Sequence, residues 1–185
     1  MAEFARAVEV VLSHEGAYSE DHAGATRWGV ILAVLREEDP AWADRDGDGD
    51  VDADDVRALT REEAAGVFRR QWWDRYGYGS IASQAVATKL FDLAVNLGPA
   101  QAHRVAQRAV RAAKRADGAS TADRGGVLAD DGVLGPRTRA ALADAPEAPL
   151  LAAMRAEAAG VYRLILARHP EWEAYRAGWL TRAYD

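Results

Sequence analysis

Apolar residues recur at helical spacing along almost the whole chain, and that period restricts what it can fold into more than any other feature. Phe4, Val8, Val11 and Leu12 predict a first helix ending near His14. Trp28 to about Glu38 reads as a second, with Val30, Ile31, Val34 and Leu35 on one side, ended by Asp39-Pro40. Thr60-Arg61-Glu62-Glu63 is a capping box opening a helix that carries Ala64, Val67, Phe68 and Trp72. Ser83 to Leu97 is the most apolar stretch, with Val86, Leu90, Phe91, Ala94 and Val95, and Gly98-Pro99 stops it. Pro99 then suits the first turn of a helix running to about Arg115. Pro136 to Ala143, Leu150 to Arg168 and Glu171 to Tyr184 read as three more helices, with a polar surface loop from Asp117 to Asp131.

No window alternates as strands do. The expectation is an all-α globule of about seven or eight helices, joined by loops too unequal for a regular bundle. With 185 residues, 49% of them hydrophobic, there is enough apolar material for a full core. A division into 1–97 and 98–185 is expected, packed as one globule and acting as a monomer.

The formal net charge of −6 argues against nucleic acid as a partner. The absence of cysteine removes disulfides, thiolate catalysis and cysteine-based zinc sites. His22, His103 and His169 lack ligand-like spacing with carboxylates, so no zinc site is expected. No stretch is apolar enough for a transmembrane segment. Met1-Ala2-Glu3-Phe4-Ala5-Arg6 has no basic segment before an apolar run. The expectation is therefore synthesis in the cytoplasm without a signal peptide.

Much of the acidity lies between Glu37 and Asp55. Within it, Asp44 to Asp55 follows the twelve-residue calcium-loop template, which draws hard oxygen ligands from positions 1, 3, 5, 7, 9 and 12. Those positions are Asp44, Asp46, Asp48, Asp50, Asp52 and Asp55, with Gly49 at the sharp turn and Val51 as the apolar anchor. Position 12 is an Asp where the template has a longer Glu, so weaker binding or one more water is expected. The competing reading is a solvated acidic loop, disfavoured because so many unpaired carboxylates repel one another. A single loop without a second hand suits a structural calcium ion rather than a sensor.

Glu15 stands where the first helix ends and a glycine-containing turn begins. By itself it reads either as a helix-end carboxylate or as a general acid, because the negative end of the helix dipole favours the protonated form. Trp28, Trp73, Tyr76 and Tyr78 are candidates for a saccharide groove, since sugar rings stack on aromatic faces. Trp72 shares the stripe of Phe68 and reads as core. Asn96 can bond an acetamido group or cap a turn. Asp92, in an apolar helix, needs a partner. Arg104, Arg108, Arg111, Lys114 and Arg115 offer either a wall-facing or a solvated basic face.

His14-Glu15-Gly16-Ala17-Tyr18, followed by Gly24-Ala25-Thr26-Arg27-Trp28-Gly29-Val30, resembles the N-terminal signature of glycoside hydrolase family 108, the bacteriolytic N-acetylmuramidases of phages and bacteria. Leu59 to Ala65 with Trp72-Trp73, Phe91 to Pro99, and Asp131 to Thr138 resemble three further blocks in the family's order, the last from its C-terminal peptidoglycan-binding region. The resemblance implies a lysozyme-like α fold. It also implies a bacterial peptidoglycan substrate, hydrolysis of the β-1,4 bond between N-acetylmuramic acid and N-acetylglucosamine, and no cofactor for catalysis. Glu15 falls on the family's catalytic Glu; beside it, Thr26 is a candidate for positioning a water or the sugar, and Tyr18 for binding substrate. Two departures stand out. Ala17 replaces a Gly, and the segment between Tyr18 and Gly24 is shortened to Ser19-Glu20-Asp21-His22-Ala23, leaving Glu20 and Asp21 as candidates for a second carboxylate, with Asp21 preferred.

The expected function is thus a lysozyme-type lytic enzyme, released through a holin or a secretion system to act on the wall. The alternatives are a lytic transglycosylase, which leaves an anhydro-muramic product, and a calcium- and wall-binding module without catalysis.

Overall fold

The computed structural model describes residues 1–15, 18–21, 24–116 and 128–185, without the side chains of Glu20, Asp21 and Ala116. The turn at Ala17 and most of the loop expected after Asp117 lie outside the described residues. Among those described, ten α-helices and one small sheet are present. The order is α1 (Phe4–His14), β1 (Tyr18–Asp21), β2 (Gly24–Arg27), β3 (Val30–Ile31), α2 (Leu32–Leu35), α3 (Pro40–Ala43), α4 (Ala53–Ala58), α5 (Arg61–Phe68), α6 (Gln84–Leu97), α7 (Pro99–Ala116), α8 (Pro136–Asp144), α9 (Glu147–Arg168) and α10 (Arg176–Tyr184).

Helix α6 is the axis of the core. Ser83 caps it by accepting from the Val86 amide, and Gly98, at φ 80°, releases the chain into α7 with Pro99 in its first turn. Its Leu90, Phe91, Leu93 and Ala94 are buried, and α1, α7 and α9 pack around it. Phe91 is the hub of an aromatic nest formed with Phe4, Phe68, Trp73 and Tyr78, at centroid distances of 5.4–6.5 Å. One cluster of buried side chains joins residues from both halves of the chain.

Two expectations are corrected. The first is the helix proposed from Trp28: the chain instead makes an antiparallel sheet in the order β1-β2-β3 before the short α2. Arg27 pairs with Val30 across a turn made by Trp28 and Gly29, whose φ values are 52° and 81°. Positive φ at both central positions is the geometry of a type I′ hairpin, whose twist matches that of the strands. Trp28 is a costly occupant, since a side chain there crowds its own backbone.

The second correction concerns the tryptophan pair. Helix α5, with the expected Thr60–Glu63 capping box, runs into a π-helical turn over Arg69–Asp74. Its wider turn takes up an extra residue and advances the side chains by about one position. Trp73 therefore continues the buried stripe at 5% exposure, while Trp72 is half-buried, its indole donating to Ala94 O at 3.2 Å.

Candidate functional site

Helix α1 ends at His14, and Glu15 is its C-cap in extended conformation. That break turns the Glu15 carboxyl out of the helix and against the β2–β3 turn. The approach is tight: a Cβ added to Gly29 would lie 2.6 Å from Glu15 Cγ and 3.0 Å from Oε2. Only a glycine fits there, for both φ and space. The Glu15 side chain is 19% exposed, and its Oε1 accepts from Arg182 Nη1 at 2.9 Å. The helix terminus is therefore not the only charge acting on Glu15; a guanidinium from α10 reaches it.

Arg182 also faces Asp92, with Nε and Nη2 at 3.0 and 2.9 Å from Oδ1. Asp92 is the buried carboxylate of α6, partnered as its setting requires. Burial pushes its carboxyl up, but the His14 hydrogen bond and the Arg182 charge outweigh this and hold it below the usual range. His14 contacts Asp92 Oδ1 through Nδ1 at 3.1 Å and Asp185 Oδ2 through Nε2 at 3.3 Å. A position between two carboxylates favours the doubly protonated ring, and the Asp92 bond lifts its pKa above the ordinary histidine value.

Thr26 lies in β2, half-buried and paired with Ser19 and Ile31. Asp21 ends β1, paired with Gly24. The hairpin so brings the backbone positions of Asp21 and Thr26 into the same small sheet whose turn covers Glu15. Tyr18 is half-buried beneath Arg57, whose guanidinium lies 5.1 Å from the ring and donates to its hydroxyl at 2.9 Å. Half-buried Trp28 donates its indole N–H to Leu59 O at 3.3 Å.

The other groove candidates scatter. Tyr78 is 0% exposed, its hydroxyl 2.9 Å from His103 Nε2, and burial pushes its pKa up. With Trp73 it belongs to the aromatic nest, so neither offers a face to a sugar. Tyr76 stacks on Tyr78 and is half-buried. Asn96 is exposed at the end of α6, accepting from the Tyr162 hydroxyl at 2.8 Å.

The residues that sequence reasoning missed lie near the C-terminus. Tyr162 of α9 stacks on Trp179, and Trp179 on Tyr175, which is 52% exposed. Tyr162 is close enough to Glu15, Asp92 and Arg182 to feel their charges. The aromatic richness of this stretch was visible, but its proximity to Glu15 was not.

The acidic loop places Asp44, Asp46 and Asp48 with one oxygen each within 4.8 Å of one another, and Asp50, Asp52 and Asp55 likewise. Asp44 accepts from the Gly47 and Gly49 amides at 2.7 and 3.1 Å. Buried Asp55 accepts from Arg45, Asp46 and Asp52 amides and completes a capping box with Asp52. Lost hydration and the charges of Asp48, Asp55 and Asp44 push the Asp46 carboxyl up; for Asp50 the charge of Asp48 is the largest cause of the same rise. Each trio offers hard oxygens that could hold a metal ion, although three backbone N–H groups already occupy Asp55.

The Asp131–Thr138 block is spent internally. Asp131 accepts from Val133 N and Gln107 Nε2, both at 2.8 Å. Gln107 also bonds Gly132 N, and Gly132 O lies 3.0 Å from His103 Nδ1. Three of the basic residues of α7 are similarly engaged: Arg108 and Arg111 with Asp130, Lys114 with Asp144.

A predominantly helical globule with a carboxylate set against a small hairpin is the lysozyme-like arrangement, and the comparisons agree. The chain matches the model of glycosyl hydrolase family 108 over residues 8–98, and that of a predicted peptidoglycan domain over residues 101–184. It is a glycosidase of the N-acetylmuramidase type acting on peptidoglycan, and this class of catalysis needs no cofactor. Among solved structures it is similar to SagA of Brucella abortus, at 25% identity over 97% of this chain and 92% of that one, with a TM-score of 0.64. None of the curated proteins matches it. Among the described residues no helix is long and apolar enough to cross a membrane.

Proposed function

We propose that Glu15 is the general acid of this enzyme. Its proton passes to the bridging oxygen as the bond between that oxygen and C1 of N-acetylmuramic acid breaks. Water adds to the oxocarbenium-like centre and gives up its proton to a carboxylate, yielding a free reducing end. Asp21 is proposed as the second carboxylate and Thr26 as the group that orients water or sugar. The observation that carries the reading is the contact of the Glu15 side chain with Gly29, in the turn of the sheet that bears Asp21 and Thr26. Tyr18, Trp28, Tyr76 and Asn96 are the remaining candidates for holding the glycan. The enzyme acts as a monomer on the wall after release by a holin or secretion route.

Glu15→Gln tests the assignment, with turbidity of outer-membrane-permeabilised cells and mass spectrometry of the released muropeptides as readouts. Lysis falls at least a hundredfold with the melting temperature nearly unchanged; a fully active variant overturns it. Reducing-end products identify hydrolysis, and anhydro-muramic ends identify a transglycosylase. The loop of Asp44, Asp46, Asp48, Asp50, Asp52 and Asp55 is proposed to hold a structural calcium ion. Luminescence of terbium bound in its place, displaced by calcium, is the direct measurement.

A further inference from the structure

Arg182 is 6% exposed, and it belongs to the region matched by the peptidoglycan-domain model rather than by the hydrolase model. A guanidinium placed only to clasp α10 to α6 has an obvious best geometry, a fork in which two nitrogens meet the two oxygens of Asp92. The observed contact departs from it. Nε and Nη2 both crowd Oδ1, Nη2 makes no well-aligned hydrogen bond, and Asp92 Oδ2 is buried without a partner. The guanidinium is rotated off its best pose on Asp92, and the nitrogen left over, Nη1, points at Glu15 Oε1.

We propose that Arg182 is a positioning residue for Glu15, held by Asp92 so that it fixes the carboxyl against the hairpin, and that the C-terminal region is thereby part of the catalytic unit. The inference rests on Glu15 being the proton donor. Two features make the arrangement compatible with that role. Arg182 occupies only Oε1, leaving Oε2, the oxygen beside Gly29, to carry the proton. Protonating Glu15 also strands no charge, because Arg182 keeps Asp92 as its counter-ion. The other titratable and charged groups around this cluster are His14 from α1, Lys89 from α6, Arg155 and Tyr162 from α9, and Asp185 after α10.

The test is steady-state hydrolysis of soluble, uncrosslinked peptidoglycan strands across pH by the full chain. Arg182→Gln lowers the kcat plateau tenfold or more with KM within twofold. Its alkaline limb moves to higher pH, because the cation that favours the carboxylate is gone. Arg182→Lys recovers part of the plateau and leaves the limb near its original position. Asp92→Asn moves the limb the opposite way, to lower pH, since more of the guanidinium's charge then falls on Glu15; this variant serves if Arg182→Gln does not fold. A folded Arg182→Gln enzyme with wild-type kinetics overturns the proposal, as does a plateau loss with an unmoved limb in either variant, which marks a merely structural clasp. Glu15→Gln separates the two levels: if it is inactive while Arg182→Gln is normal, only the positioning role fails, whereas an active Glu15→Gln removes the reading beneath it.

Discussion

Two regions among the described residues crowd carboxylates together, and they answer the problem in two ways. Around Glu15 and Asp92 the charge is met by a cation brought from the far end of the chain, Arg182, with His14 closing the other side. In the loop from Asp44 to Asp55 it is met locally, by backbone amides that bond Asp44, Asp46, Asp48, Asp52 and Asp55. Amides orient carboxylates but do not cancel their charge. Asp46 and Asp50 remain pushed up by their neighbours, whereas Asp92, more deeply buried, is held low. The buried site around Asp92 brings its counter-ion with the fold. In the loop, exposed Asp46 and Asp50 can wait for one from solution, while Asp55, despite its burial, is held low by backbone amides.

That difference also decides what a reader of the sequence can see. The loop is contiguous, so its ligand pattern is legible residue by residue, as are the Thr60–Glu63 capping box and the Gly98-Pro99 stop. Arg182 lies 167 positions from Glu15. No local period marks it out from the other arginines of the C-terminal half, so only packing of α10 on α9 reveals it. The hairpin was missed because its strands are too short for an alternating pattern to register, and because a Trp at positive φ is not a turn signal. The π-turn exchanged the roles of Trp72 and Trp73, since helical spacing assumes a uniform turn. The family motifs pointed to Glu15 itself; what surrounds it needed the fold.

The sharpest way to break the contrast is to remove a carboxylate from each place. Asp92→Ala leaves a buried guanidinium with only its Glu15 contact, and should cost about 3 kcal/mol in urea unfolding, the lower end of the range for breaking a buried pair because one partner remains. A loss below about 1 kcal/mol would mean that the cluster is open to water and behaves like the loop.

Gly29→Ala should follow at about 2 kcal/mol, from the strain of a positive φ and the displaced Glu15 side chain. Lytic activity should fall further than stability, because the carboxyl itself must move. Retained activity would show that the hairpin does not set the position of Glu15.

In the loop the sign should depend on calcium. With the ion at ten times its dissociation constant, binding to the folded state alone adds ~1.4 kcal/mol, read as a rise in melting temperature that chelator reverses. Asp50→Asn should raise the melting temperature in chelator, where it relieves repulsion, and lower it in calcium, where it removes charge near the ion. The same sign in both conditions would dismiss the metal and leave a solvated acidic loop.

The smallest effect concerns His14. Its pKa in the folded state is raised, chiefly by the hydrogen bond to Asp92, above an unfolded value of about 6.5. Its contribution to stability is therefore fully present below about pH 6.5 and is lost as the pH rises through the folded-state value. Carboxylates held low by their partners contribute in the opposite sense, above their unfolded values, and fail only in acid. His14→Gln should thus melt lower than the wild type at pH 5.5 or so and approach it at pH 9, so that the two melting curves converge on the alkaline side. A constant gap across that range would mean that the ring is held by packing rather than by its proton. The Asp92–Arg182 pair would then have to balance its charge without help from α1.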